Sequence, residues 1–111
     1  MIRRLGYIKN RNRCCGPMEI NWEQLEKKAK QGAILVDVRS PQEFQEGHLE
    51  NAILLPEYEM KQNASQILSD KTKTIIVYCS TGHRGIKAQK ILQALGYNQV
   101  YNLCHGLENY N

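Results

Sequence analysis

The sequence predicts an α/β fold with a central, mostly parallel five-stranded sheet and helices on both faces. Two runs, residues 33–36 and 75–78, are continuously apolar and of strand length, as strands buried on both faces require. Segments of helical periodicity lie between the strand candidates, the alternation that βα units produce. The chain has 111 residues, enough for one such core and too few for two. Hydrophobic residues make up 41% and charged residues 23%, which excludes a collagen, a coiled coil and a disordered tail. No run approaches the roughly 18 apolar residues of a membrane-spanning helix.

Each element has its own signals. Glu19 and Ile20 close a short first strand. Asn21 is a helix N-cap and Gln24, three residues on, completes a capping box. Trp22, Leu25 and Ala29 then share one helical face, and Gly32 ends the helix. Residues 33–38 read as a buried strand. Ser40-Pro41-Gln42-Glu43 opens a second helix with a cap, a proline at the first position and an acid at the third; Gly47 stops it. Residues 52–54 form a third short strand, ended by Pro56. Residues 57–69 have a weak pattern that predicts one or two helical turns. Thr74–Tyr78 is the strongest strand signal in the chain. The helix after it carries Ala88, Ile91, Leu92 and Leu95 at i, i+3, i+4 and i+7, and stops at Gly96. Residues 100–103 give a last strand and residues 106–110 a final turn.

Charge divides the chain at residue 17. Residues 1–17 hold Arg3, Arg4, Lys9, Arg11 and Arg13 and no acid, a charge of +5, whereas the other 94 residues sum to −1. The expected organisation is a poorly ordered basic leader, 1–17, and one domain, 18–111. Because the domain itself is not basic, a nucleic-acid partner is not expected. The cysteines, Cys14, Cys15, Cys79 and Cys104, form neither a zinc-ribbon spacing nor a regular disulfide framework. No secretory segment is visible in residues 1–17. Free thiols, a reducing cytoplasmic location, no membrane contact and a monomer are expected.

The candidate site is Cys79, at the carboxyl end of the strongest strand, where open parallel sheets bind ligands. Ser80, Thr81, Gly82 and Gly85 are small, so the loop can turn backbone N–H groups inward as an anion nest. The following helix adds unsatisfied N–H groups and the positive end of its dipole. His83 and Arg84 place side-chain cations nearby. Each feature favours thiolate over thiol and makes Cys79 a candidate nucleophile. The competing reading of a lone strand-end cysteine is a small buried hydrophobe.

Four motifs in order resemble the single-domain rhodanese-like sulfurtransferases. They are Leu35-Val36-Asp37-Val38-Arg39; Ser40-Pro41-Gln42-Glu43-Phe44 with Glu46-Gly47-His48-Leu49-Glu50-Asn51-Ala52; Ile75-Ile76-Val77-Tyr78 leading into Cys79-Ser80-Thr81-Gly82-His83-Arg84; and Leu95-Gly96-Tyr97 with Val100-Tyr101-Asn102-Leu103. The resemblance covers about residues 18–111. It implies a rhodanese-like fold and a catalytic Cys79 that carries sulfur as a persulfide within the loop Ser80, Thr81, Gly82, His83 and Arg84. The implied donor is a small sulfur anion such as thiosulfate, and the implied acceptor is a thiol, a protein or, in an assay, cyanide. No metal or organic cofactor is implied. Loop charge from His83 and Arg84 leans toward thiosulfate.

The resemblance leaves particular roles open. Asp37 and Arg39 shape the site or form a structural pair; Arg84 faces the donor or anchors the loop on a carboxylate. His48 is expected in a structural hydrogen bond and Glu43 in a helix cap. Gly85 stands where related chains often have Ser, and Cys104-His105-Gly106 replaces a Gly-Gly step. Cys14, Cys15 and Cys104 are expected to be inert rather than parts of a sulfur relay. Four residues separate Cys79 from Arg84, one fewer than in phosphatases of related fold, so phosphatase or arsenate-reductase chemistry ranks low. The alternatives to an enzyme are a relay module that takes sulfur from a protein partner and a non-catalytic binding domain.

Overall fold

The computed structural model describes residues 18–109; the expected leader, 1–17, and Tyr110 lie outside the described residues. Five strands, β1 (Glu19–Ile20), β2 (Ile34–Asp37), β3 (Ile53–Leu54), β4 (Thr74–Tyr78) and β5 (Gln99–Leu103), form one sheet in the order β1-β5-β4-β2-β3. Every pairing is parallel, so the sheet is wholly rather than mostly parallel. Four helices alternate with the strands: α1 (Trp22–Lys30), α2 (Pro41–Glu46), α3 (Met60–Ile67) and α4 (His83–Ala94).

Strand alternation sends successive side chains to opposite sheet faces. On one face, Val36, Val38, Ile75, Val77 and Val100 pack beneath α3 and α4 with Met60, Ala64, Ala88 and Leu92. On the other, Leu35, Ile76, Tyr78 and Leu103 pack beneath α1 with Trp22, Leu25 and Leu49. The two clusters make the doubly covered sheet that the apolar runs predict.

The helix caps form as their residues dictate. Asn21 Oδ1 accepts from Gln24 N at 2.8 Å, and Gln24 Oε1 accepts from Asn21 N at 2.9 Å. Ser40 and Glu43 make the same reciprocal pair at the start of α2. The weakly patterned segment after Pro56 is longer than one or two turns. A 3-10 turn, Glu57–Glu59, runs directly into the eight-residue α3. Its core contact within the helix is narrow, only Met60 and Ala64, which is why polar neighbours such as Gln62 and Asn63 masked it. At the other end, the expected final turn is a 3-10 turn, Leu107–Asn109.

Candidate active site

The loop after β4 is shaped by carbonyls that are tied outward. Leu107 N donates to the Cys79 carbonyl and Glu108 N to the Ser80 carbonyl, both at 2.8 Å. The chain reaches this contact through Gly106, at φ +67, where a Cβ would lie 2.5 Å from the Cys79 carbonyl oxygen. Both the left-handed backbone and the close approach require glycine there.

Cys79 Sγ then sits where a helix-capping oxygen would sit. Gly82 is the N-cap of α4, at φ +103, and has no side chain to cap with. Instead, Gly82 N donates to Cys79 Sγ at 3.0 Å and Gly85 N donates at 3.2 Å. These are the N-cap and third N–H groups of α4, among the donors that a helix start leaves unpaired. Sulfur therefore replaces the cap. Donors aimed at sulfur, together with the positive end of the helix dipole, favour a negative charge on it. Of the small residues Ser80, Thr81, Gly82 and Gly85, two, Gly82 and Gly85, direct their N–H groups at Sγ. Cys79 is also fully buried against the α3–α4 core, so the buried-hydrophobe reading describes its packing and the nest describes its polar side.

Arg84 anchors. Its Nη1 and Nη2 meet Glu43 Oε1 and Oε2 at 2.7 and 3.0 Å, a bidentate pair. This bond holds the Glu43 carboxyl down at about 2, helped by the Ser40 backbone N–H, and raises the Arg84 guanidinium. His83 and Thr81 stand exposed at the loop rim, with Thr81 Oγ1 3.2 Å from His83 Nδ1.

Asp37 and Arg39 lie at the end of β2 and bond each other. Arg39 Nη2 reaches Asp37 Oδ2 at 2.7 Å and the Gly47 carbonyl at 2.6 Å. The Asp37 bond raises the Arg39 guanidinium. The pair fastens the end of α2, the helix that carries Glu43. His48 Nδ1 is 2.7 Å from the Phe44 carbonyl, and its ring stacks on Phe44 at 3.6 Å. Cys104 is buried; Cys14 and Cys15 lie outside the described residues. Among the described residues no group of three His, Cys, Asp or Glu could hold a metal, and no helix is long and apolar enough to cross a membrane.

Sequence reasoning missed two contributors, Gly106 and Asn102, and placed Gly85 among the small nest residues without the contact that demands glycine there. Gly85 supplies a donor to sulfur, Gly106 permits the outward carbonyls, and Asn102, 20 residues from Gly82, reaches under the loop at 3.4 Å. Glycine at positions 85 and 106 was visible, but the contacts that demand it come from distant segments.

A strand-end cysteine whose sulfur caps the next helix, in an all-parallel α/β sheet, is a single-cysteine site whose sulfur faces backbone donors. The Rhodanese-like domain model matches residues 21–111, and the chain belongs to that family. The chain is 37% identical over 67 residues to thiosulfate sulfurtransferase PspE of Escherichia coli, covering 60% of this chain and 64% of that one. It is 31% identical over 86 residues to thiosulfate sulfurtransferase GlpE of Pseudomonas syringae, covering 78% and 79%. The chain thus spans just under two thirds of PspE and 60% of the Bacillus subtilis protein YqhL. A solved structure described as a rhodanese with anions from E. coli superposes with a TM-score of 0.64 at 33% identity, over 70% of this chain and 91% of that one. The human single-domain sulfurtransferase TSTD1 shares the fold, with a TM-score of 0.75 at 22% identity over 85% and 95%.

Proposed function

We propose that this chain is a sulfurtransferase that takes the outer sulfur of thiosulfate onto Cys79 and passes it to a thiol or to cyanide. The observation that carries the reading is the pair of N–H groups converging on Cys79 Sγ. The names of PspE and GlpE, and the anions in the E. coli rhodanese structure, support it.

The chemistry balances without a redox partner. The Cys79 thiolate attacks the outer sulfur of thiosulfate; the sulfur–sulfur bond of the donor breaks and its electron pair leaves with sulfite. A Cys79 persulfide remains. The acceptor then attacks the outer sulfur, the new sulfur–sulfur bond breaks, and the Cys79 thiolate returns. Charge sits on sulfur at the start and end of each step, which is where fixed N–H donors act most strongly. The Arg84 charge is neutralised by Glu43, so attraction of a dianionic donor falls to the loop N–H groups and His83.

Intact mass before and after thiosulfate tests this, with turnover to cyanide, for wild type and Cys79→Ser. A gain of one sulfur and steady turnover in the wild type, both absent in Cys79→Ser, is the expected result. Loading without turnover points to a relay module that discharges only to a protein partner. No loading from thiosulfate or from an alkyl persulfide overturns the sulfur reading.

A further inference from the structure

We propose that Asn102 is a positioning residue for the Cys79 loop, holding the two residues, Gly82 and Gly85, whose N–H groups converge on sulfur. Asn102 lies in β5 and is fully buried, on the sheet face it shares with Val100. Its Nδ2 donates to Glu19 Oε1 at 2.9 Å and to the Gly82 carbonyl at 3.4 Å. The same carbonyl accepts from Ile86 N at 3.0 Å, so it is fixed from below by β5 and from above by the first turn of α4. Asn102 Oδ1 lies against Gly85, so close that a Cβ on Gly85 would collide with it. One side chain therefore contacts both Gly82 and Gly85, and these are the two residues that donate to Cys79 Sγ.

The energetics argue against a role in stability alone. Among the described residues, Asn102 Oδ1 accepts no hydrogen bond. A buried acceptor left unpaired is costly, so the two Nδ2 bonds come with an unfavourable contribution from Oδ1. A costly amide kept where the chain needs a defined loop position is the pattern of a site residue. The contact also explains Gly85: any side chain there would displace the amide from beneath the loop.

The test is the rate of Cys79 alkylation by iodoacetamide as a function of pH, in the full chain, for wild type, Asn102→Ala and Gln89→Ala. Gln89 is the control because its Nε2 ties the Val100 and Met18 carbonyls from α4 without bonding the loop. Asn102→Ala is expected to react on the order of tenfold more slowly at pH 7, the loss that follows when a hydrogen bond to a charged group is misaligned, with its pH–rate midpoint moved up. Gln89→Ala is expected to lose thermal stability and keep the wild-type rate and midpoint. If Asn102→Ala does not fold, Asn102→Ser, whose hydroxyl is too short to reach the Gly82 carbonyl, gives the same comparison. An Asn102 variant that reacts within twofold of wild type overturns the inference, as does one that slows no more than Gln89→Ala. The inference rests on Cys79 as the reactive thiol, but alkylation reads that thiol directly. A chain that never loads sulfur yet loses reactivity with Asn102 refutes the proposed function and leaves this inference standing.

Discussion

At the scale of single residues, the site is a set of pairings that leave one sulfur facing donors. Asp37 engages Arg39, and Glu43 engages Arg84, so two potential cations are spent on architecture. The Glu43–Arg84 pair has a pH signature. Glu43 is held at about 2 against an ordinary 4.5, so its contribution is fully present above about pH 4.5 and lost as pH falls toward 2. The side chains are 32% and 40% exposed, so solvent screening leaves about 1 kcal/mol of the larger value that the shift alone implies. Glu43→Gln is expected to be less stable by that amount at pH 7 and to show a flatter acid limb between pH 4.5 and 2. Urea unfolding at a series of pH values checks it; parallel wild-type and variant acid limbs would contradict the assignment. Which way Arg84 points was open in the sequence because Glu43 is 41 positions away.

At the scale of elements, legibility follows sequence separation. The caps of α1 and α2 were readable because donor and acceptor are three residues apart. β2 and β4 were readable because burial on both faces demands an unbroken apolar run. The sulfur cap of α4 was half readable: a cysteine before small residues at a strand end announces a nest, but not which N–H groups reach Sγ. Asn102 was not readable, since its partners come from β1 and from the loop before α4. Helix α2 gives the element-scale prediction. It has six residues and none is buried, so caps and polar bonds hold it. Ser40 Oγ accepts from Glu43 N at 3.2 Å, and Ser40 N donates to Glu43 Oε1 at 3.0 Å. Ser40→Ala removes the first bond together with the Ser40 Oγ donation to Glu43 Oε1 at 3.1 Å, and is expected to cost about 1 kcal/mol in denaturant unfolding with an unchanged slope. It is also expected to weaken the Glu43–Arg84 pair by loosening the turn that presents Glu43. A loss additive with that of Glu43→Gln in the double variant would contradict that coupling.

At the scale of the whole molecule, strand order decides where rigidity lies, and strand order was not in the local pattern. Apolar runs say that a strand is buried, not which strands flank it. The observed order puts β4 at the centre, between β5 and β2, with the two-residue strands β1 and β3 at the edges. Ile75, Ile76, Val77 and Tyr78 are all fully buried, whereas Ile53 in β3 is 37% exposed. Cys79 follows directly on this central strand, so its sulfur is mounted on the part of the molecule with the most backbone bonding and side-chain cover. A preorganised nest needs that mounting, because donors that must reorganise lose much of their stabilising effect. Native-state hydrogen exchange makes the claim measurable. Amides of β4 are expected to exchange only through global unfolding, with a urea dependence equal to that of the whole chain. Amides of β1 and β3 are expected to exchange through smaller openings with a weaker urea dependence. If the β4 amides exchanged through the same small openings as the edge strands, the sheet would have no rigid centre. The loop geometry at Cys79 would then have to be held by α4 and the Leu107–Asn109 turn alone.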